Sequence, residues 1–296
     1  MGPKDYPSLT GKTCLVTGGT SGVGAATARG LARLGARVVL VGRDRARGEA
    51  VVTEIAAATG NRDLELLFAD LSLQSGIREL AAAVERRFPR VDVLVHAAGV
   101  LLPTRRVTAE GIEATLAVDY LAHFLLTHLL LARLAASSPA RILVVAGGAG
   151  VIRRTALDLD ALQSPREYNG FAAAMRAAVA RTLFVHDLGP RLAGSGVTLN
   201  AFHPGIVQSQ LGRDLPLPLR AVMALARPLM SRECRPAVHL AASPGVAGIS
   251  GRLFVGTRPV DLGPRFADQA FQRALRERTL QLCGLDGESP AVPDRC

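Results

Sequence analysis

Thr17-Gly18-Gly19-Thr20-Ser21-Gly22-Val23-Gly24 is the stretch that decides how this chain folds. The apolar run Thr13–Thr17 leads into it and an alanine-rich run leads out, so a strand ends and a helix begins at its glycines. Glycines at such a turn let the backbone approach a pyrophosphate, whose charge then sits at the helix N-terminus. Ordinary strand-to-helix turns also carry glycine, so the motif needs support from elsewhere. Three later strand ends supply it. Val41-Gly42-Arg43-Asp44 follows about twenty residues on, where an acidic side chain binds a free ribose 2′-hydroxyl. Gly42 offers no acid, and Arg43 offers a planar cation suited to a 2′-phosphate, which favours NADP(H) over NAD(H). Asp70-Leu71-Ser72 and His96-Ala97-Ala98-Gly99 end the next two strands.

Outward from the loop, β-rich runs alternate with alanine-rich helical ones. Thr13–Thr17, Arg37–Val41, Glu65–Ala69, Val91–Val95, Arg141–Val145, Val197–Ala201 and Leu253–Val255 read as strands, several apolar on both faces. This pattern predicts an α/β fold, a doubly wound seven-stranded parallel sheet with right-handed crossovers and helices on both faces. No linker divides the chain, so one dinucleotide-binding domain is expected over residues 1–296. Its core runs from about 10 to 285, and the ends (roughly Met1–Leu9 and Asp286–Cys296) read as loosely held tails.

Composition narrows the function. The formal charge is +10, yet the arginines are scattered and base-stacking aromatics are few, with 9 Phe, 3 Tyr and no Trp; nucleic acid is not an expected partner. Four cysteines without CxxC spacing suit a reduced compartment. The N-terminus has no apolar stretch of signal-peptide length. The most apolar helix, Leu121–Ala136, carries His123, His128 and Arg133 and reads as too short to cross a bilayer. The expectation is a soluble cytoplasmic protein without a membrane partner. No His, Cys or carboxylate cluster has metal-ligand spacing, so no metal is expected.

At these motifs the chain resembles the short-chain dehydrogenase/reductase family, especially its retinol-dehydrogenase-like branch, over about residues 10 to 285. Thr17–Gly24 matches the family's TGxxxGxG, and His96–Gly99 matches its NNAG with two substitutions. Asp70 matches the acid that contacts adenine, with Leu71 beside it. Gly196-Val-Thr-Leu-Asn-Ala-Phe-His-Pro-Gly205 matches the sixth strand and the proline-glycine turn beneath the nicotinamide. Ala241–Val255 looks like the C-terminal strand segment. The resemblance implies a cofactor site made of Gly18, Thr20, Ser21, Gly22, Val23, Gly24, Arg43, Asp70, Leu71, Ala97, Ala98, Gly99, Pro204, Gly205, Val207 and Ser209. It also implies dimerisation through the fourth and fifth helices.

The family's Asn-Ser-Tyr-Lys set does not carry over. Its tyrosine protonates the carbonyl oxygen as hydride arrives, its serine orients the substrate, its lysine lowers the tyrosine pKa, and its asparagine supports a water chain. Val118-Asp119-Tyr120-Leu121-Ala122-His123-Phe124 matches VNYLGHF, which puts Asp119 in the asparagine position. Arg141-Ile-Leu-Val-Val-Ala-Gly147 matches RIVNVSS, which puts Gly147 in the serine position. Counting back from His203-Pro204-Gly205 places Ala174 for the tyrosine and Ala178 for the lysine, and the landmark Tyr168-Asn169 supports that register. The only lysines, Lys4 and Lys12, both precede the glycine loop. The catalytic residues are therefore unknown, with Asp119, Tyr168 and His203 as weak candidates. Each has a plainer reading. Asp119 would hydrogen-bond the backbone, Tyr168 would cap or pack a helix start, and His203 stands where the branch itself often has histidine. Tyr120 is expected to pack on the fourth helix. Arg181 reads as solvent-facing or distal to the phosphates.

A positioned general acid is worth roughly 10²–10⁴-fold, while holding reactants together supplies effective molarities of about 10⁵–10⁸ M. Reduction therefore survives loss of the tyrosine if substrate or water donates the proton. Small replacements leave room for a bulky ligand, and Leu211–Met230, in the family's lid position, is rich in Leu and Pro. The leading expectation is an NADP(H)-dependent ketoreductase of a large hydrophobic, polyketide-like aromatic compound. The alternatives are a non-redox enzyme (cyclase, dehydratase or epimerase) and a non-catalytic cofactor-binding protein.

Overall fold

A computed structural model describes residues 6–163, 168–207 and 231–285. In chain order its principal elements are β1 (Thr13–Thr17), α1 (Gly22–Arg33), β2 (Arg37–Gly42), α2 (Arg45–Thr59), β3 (Leu64–Phe68), α3 (Gln74–Arg87) and β4 (Val93–His96). A continuous helix α4 (Ala114–Ala136) follows, with a π-helical turn at Ala117–Leu121. Then come β5 (Ala140–Val145), α5 (Ala149–Arg154), α6 (Gly170–Arg191), β6 (Val197–His203) and α7 (Arg235–Ala242). The chain closes with β7 (Leu253–Val255), β8 (Arg258–Val260) and α8 (Gln269–Leu282).

The strands form one sheet in the order β3-β2-β1-β4-β5-β6-β7-β8, parallel from β3 to β7. The sheet has eight strands rather than the seven expected, because β8 turns back antiparallel on β7. Its three residues, Arg-Pro-Val, give a period-two pattern nothing to show. Pro259 also confines the segment to an edge, where a missing N–H is tolerated.

Alternation along the strands explains the layers. Leu15 packs into the core beneath α3, α4 and α6, and its neighbours Cys14 and Val16 pack into the core beneath α1 and α7. Asp92, just ahead of β4, is buried at the N-terminal edge of the sheet. Burial pushes its carboxyl up, but bonds from Arg90, Thr13 and Lys12 hold it below its ordinary value.

Two expectations change here. α4 starts well before Leu121 and has 23 residues, long enough by length and composition to cross a membrane. However, 83% of its apolar window is buried inside the protein, as a core helix requires. The segment Tyr6–Leu9 is docked rather than loose. The Leu9 N–H donates to Leu34 O (2.7 Å), Leu9 is buried, and Tyr6 Oη lies 3.3 Å from His239 Nδ1. α8 lies over α6 and the π turn. Tyr120 Oη meets Thr279 Oγ1 at 2.8 Å, and Arg276 pairs with Asp187. Residues 286–296 lie outside the described residues.

Candidate functional site

The glycine loop and the turn after β4 meet at the C-terminal ends of β1 and β4. β1 pairs with β2 on one side and β4 on the other, so the chain reverses its direction of winding there, and the crevice at such a point is where open α/β sheets bind ligands. Gly18 has φ +63°, and a Cβ on it would lie 2.7 Å from Ala98 Cα. A Cβ on Gly24 would lie 2.2 Å from Gly18 O. Only glycine permits either approach. α1 opens behind Ser21 with no side-chain cap, which leaves its first N–H groups free for an anion.

At the end of β2, a Cβ on Gly42 would meet Thr20 Cγ2 and Oγ1 at 2.6 Å. The space for an acidic side chain is already filled by the threonine. Arg43 stays half exposed, with its guanidinium 3.9 Å from Asp70. Asp70 Oδ1 accepts from the Ser72 N–H (2.9 Å) and hydroxyl (2.7 Å), which shapes the turn after β3, and Leu71 is buried within it. Thr20, Gly42, Arg43 and Asp70 thus come together at one end of the crevice.

At the other end, Ala97, Ala98 and Gly99 form a turn held from two elements. Thr17 Oγ1 accepts from the N–H groups of Ala97 (3.2 Å) and Ala98 (3.4 Å). His123 Nε2, from α4, donates to Ala98 O at 3.0 Å, and Asp119 Oδ1, from the π turn, accepts from Val100 N–H at 2.7 Å. Gly99 is exposed between these holds. His123 stacks on His96 with ring centroids 4.9 Å apart, and both are buried. Burial pushes His96 down to about 3 and His123 well below its ordinary value, so both rings are neutral.

Asp119 has a partner the sequence reading missed. Arg181 is buried rather than solvent-facing. Its Nη1 donates to Asp119 O at 2.9 Å and lies 3.8 Å from Oδ2. Burial raises the Asp119 carboxyl to about 7, against the pull of Arg181 and the Val100 N–H, with Glu113 adding to the rise. Burial also lowers the Arg181 guanidinium, and Asp119 pulls it back up. Helical spacing from Ala174 says only which face Arg181 occupies. The hint available in sequence was an acid at 119, where the family pattern has asparagine, together with an arginine at 181 on the helix that packs over it.

The remaining candidates separate. Gly147 and Ala178 face each other, with a Cβ on Gly147 lying 3.8 Å from Ala178 Cβ and 3.2 Å from Ile152 Cδ1. Ala174 lies one helical turn before Ala178, so methyl groups and backbone meet here. His203, at the end of β6, stands against Gly148, where a Cβ would be 3.8 Å from its Cε1; its Nδ1 is buried without a partner among the described residues. Tyr168 is engaged elsewhere, its hydroxyl 2.9 Å from Thr115 Oγ1 and donating to Leu102 O at 3.3 Å, ahead of the Asn169 cap of α6. Past β6, Gly205 has φ +71°, and Val207 is buried and bridges to Ser231. Ser209 and Leu211–Met230 lie outside the described residues. Among those described, no group of His, Cys, Asp and Glu could hold a metal.

Fold and crevice together define a dinucleotide-binding α/β protein of the doubly wound class. Residues 12–159 match the family model for short chain dehydrogenases, and the chain belongs to that family of oxidoreductases. Retinol dehydrogenase 14 of Mus musculus is 35% identical, with 96% of this chain and 90% of that protein covered. A crystal structure of an uncharacterized protein from Mycobacterium paratuberculosis superimposes with a TM-score of 0.76 at 28% identity, covering 96% of this chain and 97% of the other. An active-site complex of Pseudomonas aeruginosa RhlG with NADP superimposes with a TM-score of 0.64 at 26% identity, covering 86% and 97%.

Proposed function

We propose that this chain is an NADP(H)-dependent ketoreductase of a bulky, hydrophobic, polycyclic aromatic carbonyl compound, working without the family's usual proton-transfer side chains. The observation that carries this reading is the wall made by Gly147, Ala174 and Ala178. It presents neither hydroxyl nor ammonium, only the Gly147 backbone and the methyl groups of Ala174 and Ala178, with Ile152 packed against them.

The residues present fit the dinucleotide. Gly18, Ser21, Gly22, Val23 and Gly24 would pass the diphosphate along the start of α1, where Gly18 and Gly24 already require close backbone approach. Thr20 and Arg43 would receive the 2′-phosphate, with Asp70 and Leu71 at the adenine. Ala97, Ala98 and Gly99 would line the nicotinamide ribose, and Pro204, Gly205, Val207 and Ser209 the nicotinamide. When bound, NADPH supplies the hydride equivalent for the reduction. The protein's own part is to hold a carbonyl against that end of the crevice, exclude water from the apolar wall and orient the substrate. The proton comes from the substrate's own hydroxyl or from water. The NADP held by the similar Pseudomonas aeruginosa protein supports the choice of cofactor.

Calorimetry with NADPH and NADH tests the reading, followed by a panel of polycyclic aromatic ketones assayed by loss of NADPH absorbance. NADPH should bind more tightly than NADH. Arg43→Ala should remove about 1.5–3 kcal/mol of that preference, the range for a hydrogen bond to a charged group. Failure to bind either dinucleotide would overturn the proposal.

A further inference from the structure

We propose that Asp119 is a positioning residue for the dinucleotide, gripping the Ala98–Val100 turn in its ionised form and loosening it when protonated, so that cofactor affinity follows the charge at residue 119. This rests on the cofactor reading above.

The grip is built from three directions. Thr17 holds the turn at the Ala97 and Ala98 N–H groups, His123 holds the Ala98 carbonyl, and Asp119 alone holds the Val100 N–H. The middle of the turn, Gly99, is the exposed part, and both Asp119 oxygens lie 3.7 Å from where its Cβ would stand. The carboxylate is therefore immediately beneath the surface that a ligand would touch. The turn also packs against Gly18, so a shift at Val100 is felt by the glycine loop.

Of these holds only one changes charge near neutrality. A threonine hydroxyl does not titrate there, and His123 and its stacked neighbour His96 are kept neutral by burial. Three other groups face Asp119. Arg181 from α6 keeps its cation. Glu113, ahead of α4, has its oxygens engaged by the N–H groups of Thr115 and Leu116 at 2.8 Å. The Tyr168 hydroxyl is pushed up by burial and so stays protonated. Burial places the Asp119 carboxyl near 7. A bond from an N–H to a carboxylate is roughly twice as strong as one to a neutral oxygen, so protonation weakens the Val100 hold by about 1 kcal/mol. An asparagine would hold the same N–H with no dependence on pH.

NADPH affinity should be measured by calorimetry for the unaltered protein and for Asp119→Asn at about pH 6 and about pH 8. The Val100 amide resonance should be followed across the same range without cofactor. The unaltered protein should lose roughly fivefold in affinity at the lower pH relative to Asp119→Asn, the equivalent of about 1 kcal/mol. Protonation of the cofactor's own phosphate affects both proteins alike and cancels. The Val100 amide should titrate with a midpoint near 7 in the unaltered protein and stay flat in the variant. Parallel affinity profiles, or a Val100 amide indifferent to pH, would overturn the proposal. A titrating Val100 amide with no NADPH binding at either pH would support the grip and overturn the cofactor reading instead.

Discussion

Replacing Asp119 by asparagine should stabilise this protein above neutral pH, although it removes a charge from a buried ion pair. Two effects oppose each other. Breaking a buried pair from one side commonly costs about 3–5 kcal/mol, because the partner is left uncompensated. Here the pair is loose, with Arg181 Nη1 3.8 Å from Oδ2, and its closer bond goes to the main-chain carbonyl of residue 119, which the substitution leaves in place. Burial meanwhile lifts the carboxyl from 3.8 to about 7 in spite of Arg181. Desolvation therefore wins, and the ionised side chain is a net burden on the fold. At 1.36 kcal/mol per pKa unit, that burden is on the order of 4 kcal/mol above about pH 7. Between about pH 4 and 7 the folded protein keeps a proton that the unfolded chain has released, so this group's contribution falls as pH rises across that window and then levels off. The neutral histidines pull the other way. His96 and His123 have depressed values, so their contribution is lost as pH falls below the unfolded value of 6.5. Both proteins share that loss, and the difference between them isolates residue 119. Urea unfolding followed by circular dichroism should find Asp119→Asn more stable by a few kcal/mol at about pH 8, with more than half of the gap gone by about pH 5. A variant less stable than its parent at about pH 8 would mean that the ion pair outweighs desolvation, and the reasoning would fail.

Two further substitutions test the geometry. Gly42→Asp alone should lower stability by roughly 1–3 kcal/mol through overpacking against Thr20, and calorimetry should show no gain in NADH binding. Adding Thr20→Gly should recover part of the stability and open the position to the new carboxylate; NADH bound more tightly by the single variant would contradict this. Gly170→Ala would place a Cβ 1.9 Å from Leu102 O, so α6 must shift away from the Leu102–Pro103 backbone. Thermal unfolding should show a loss of roughly 1–3 kcal/mol, and an unchanged midpoint would refute the contact.

Much of this architecture was legible because it rests on local chemistry. The strands β1 and β7 lie where apolar runs between helical stretches put them, and the rest of the first seven fall within a residue or two. The glycine loop opens α1 because Gly18 and Gly24 meet backbone that no side chain would tolerate. Short or composite elements were not legible. β8 is three residues with a proline, and the first turns of α4 carry Asp119 and Tyr120 through a π turn that breaks the 3.6-residue rhythm. The partnership of Asp119 with Arg181 joins residues far apart in sequence, and only the crossing of α4 by α6 brings them together. Thr20 beneath Gly42 is likewise a contact across two strands that neither motif announces alone. Tyr168 shows the converse. Its rarity drew notice, but its hydroxyl serves the loop at Leu102.

The position of Lys12 has a practical consequence. It sits against Asp92 at the N-terminal edge of the sheet, and Lys4, the chain's only other lysine, precedes it in sequence. The crevice lies at the opposite, C-terminal edge, and no lysine follows β1 to line it. Amine-directed dyes, crosslinkers or surface tethers therefore have only the start of the chain to react with. Coupling through Lys12 would leave the crevice facing solution, with attachment and ligand chemistry at opposite edges of one sheet.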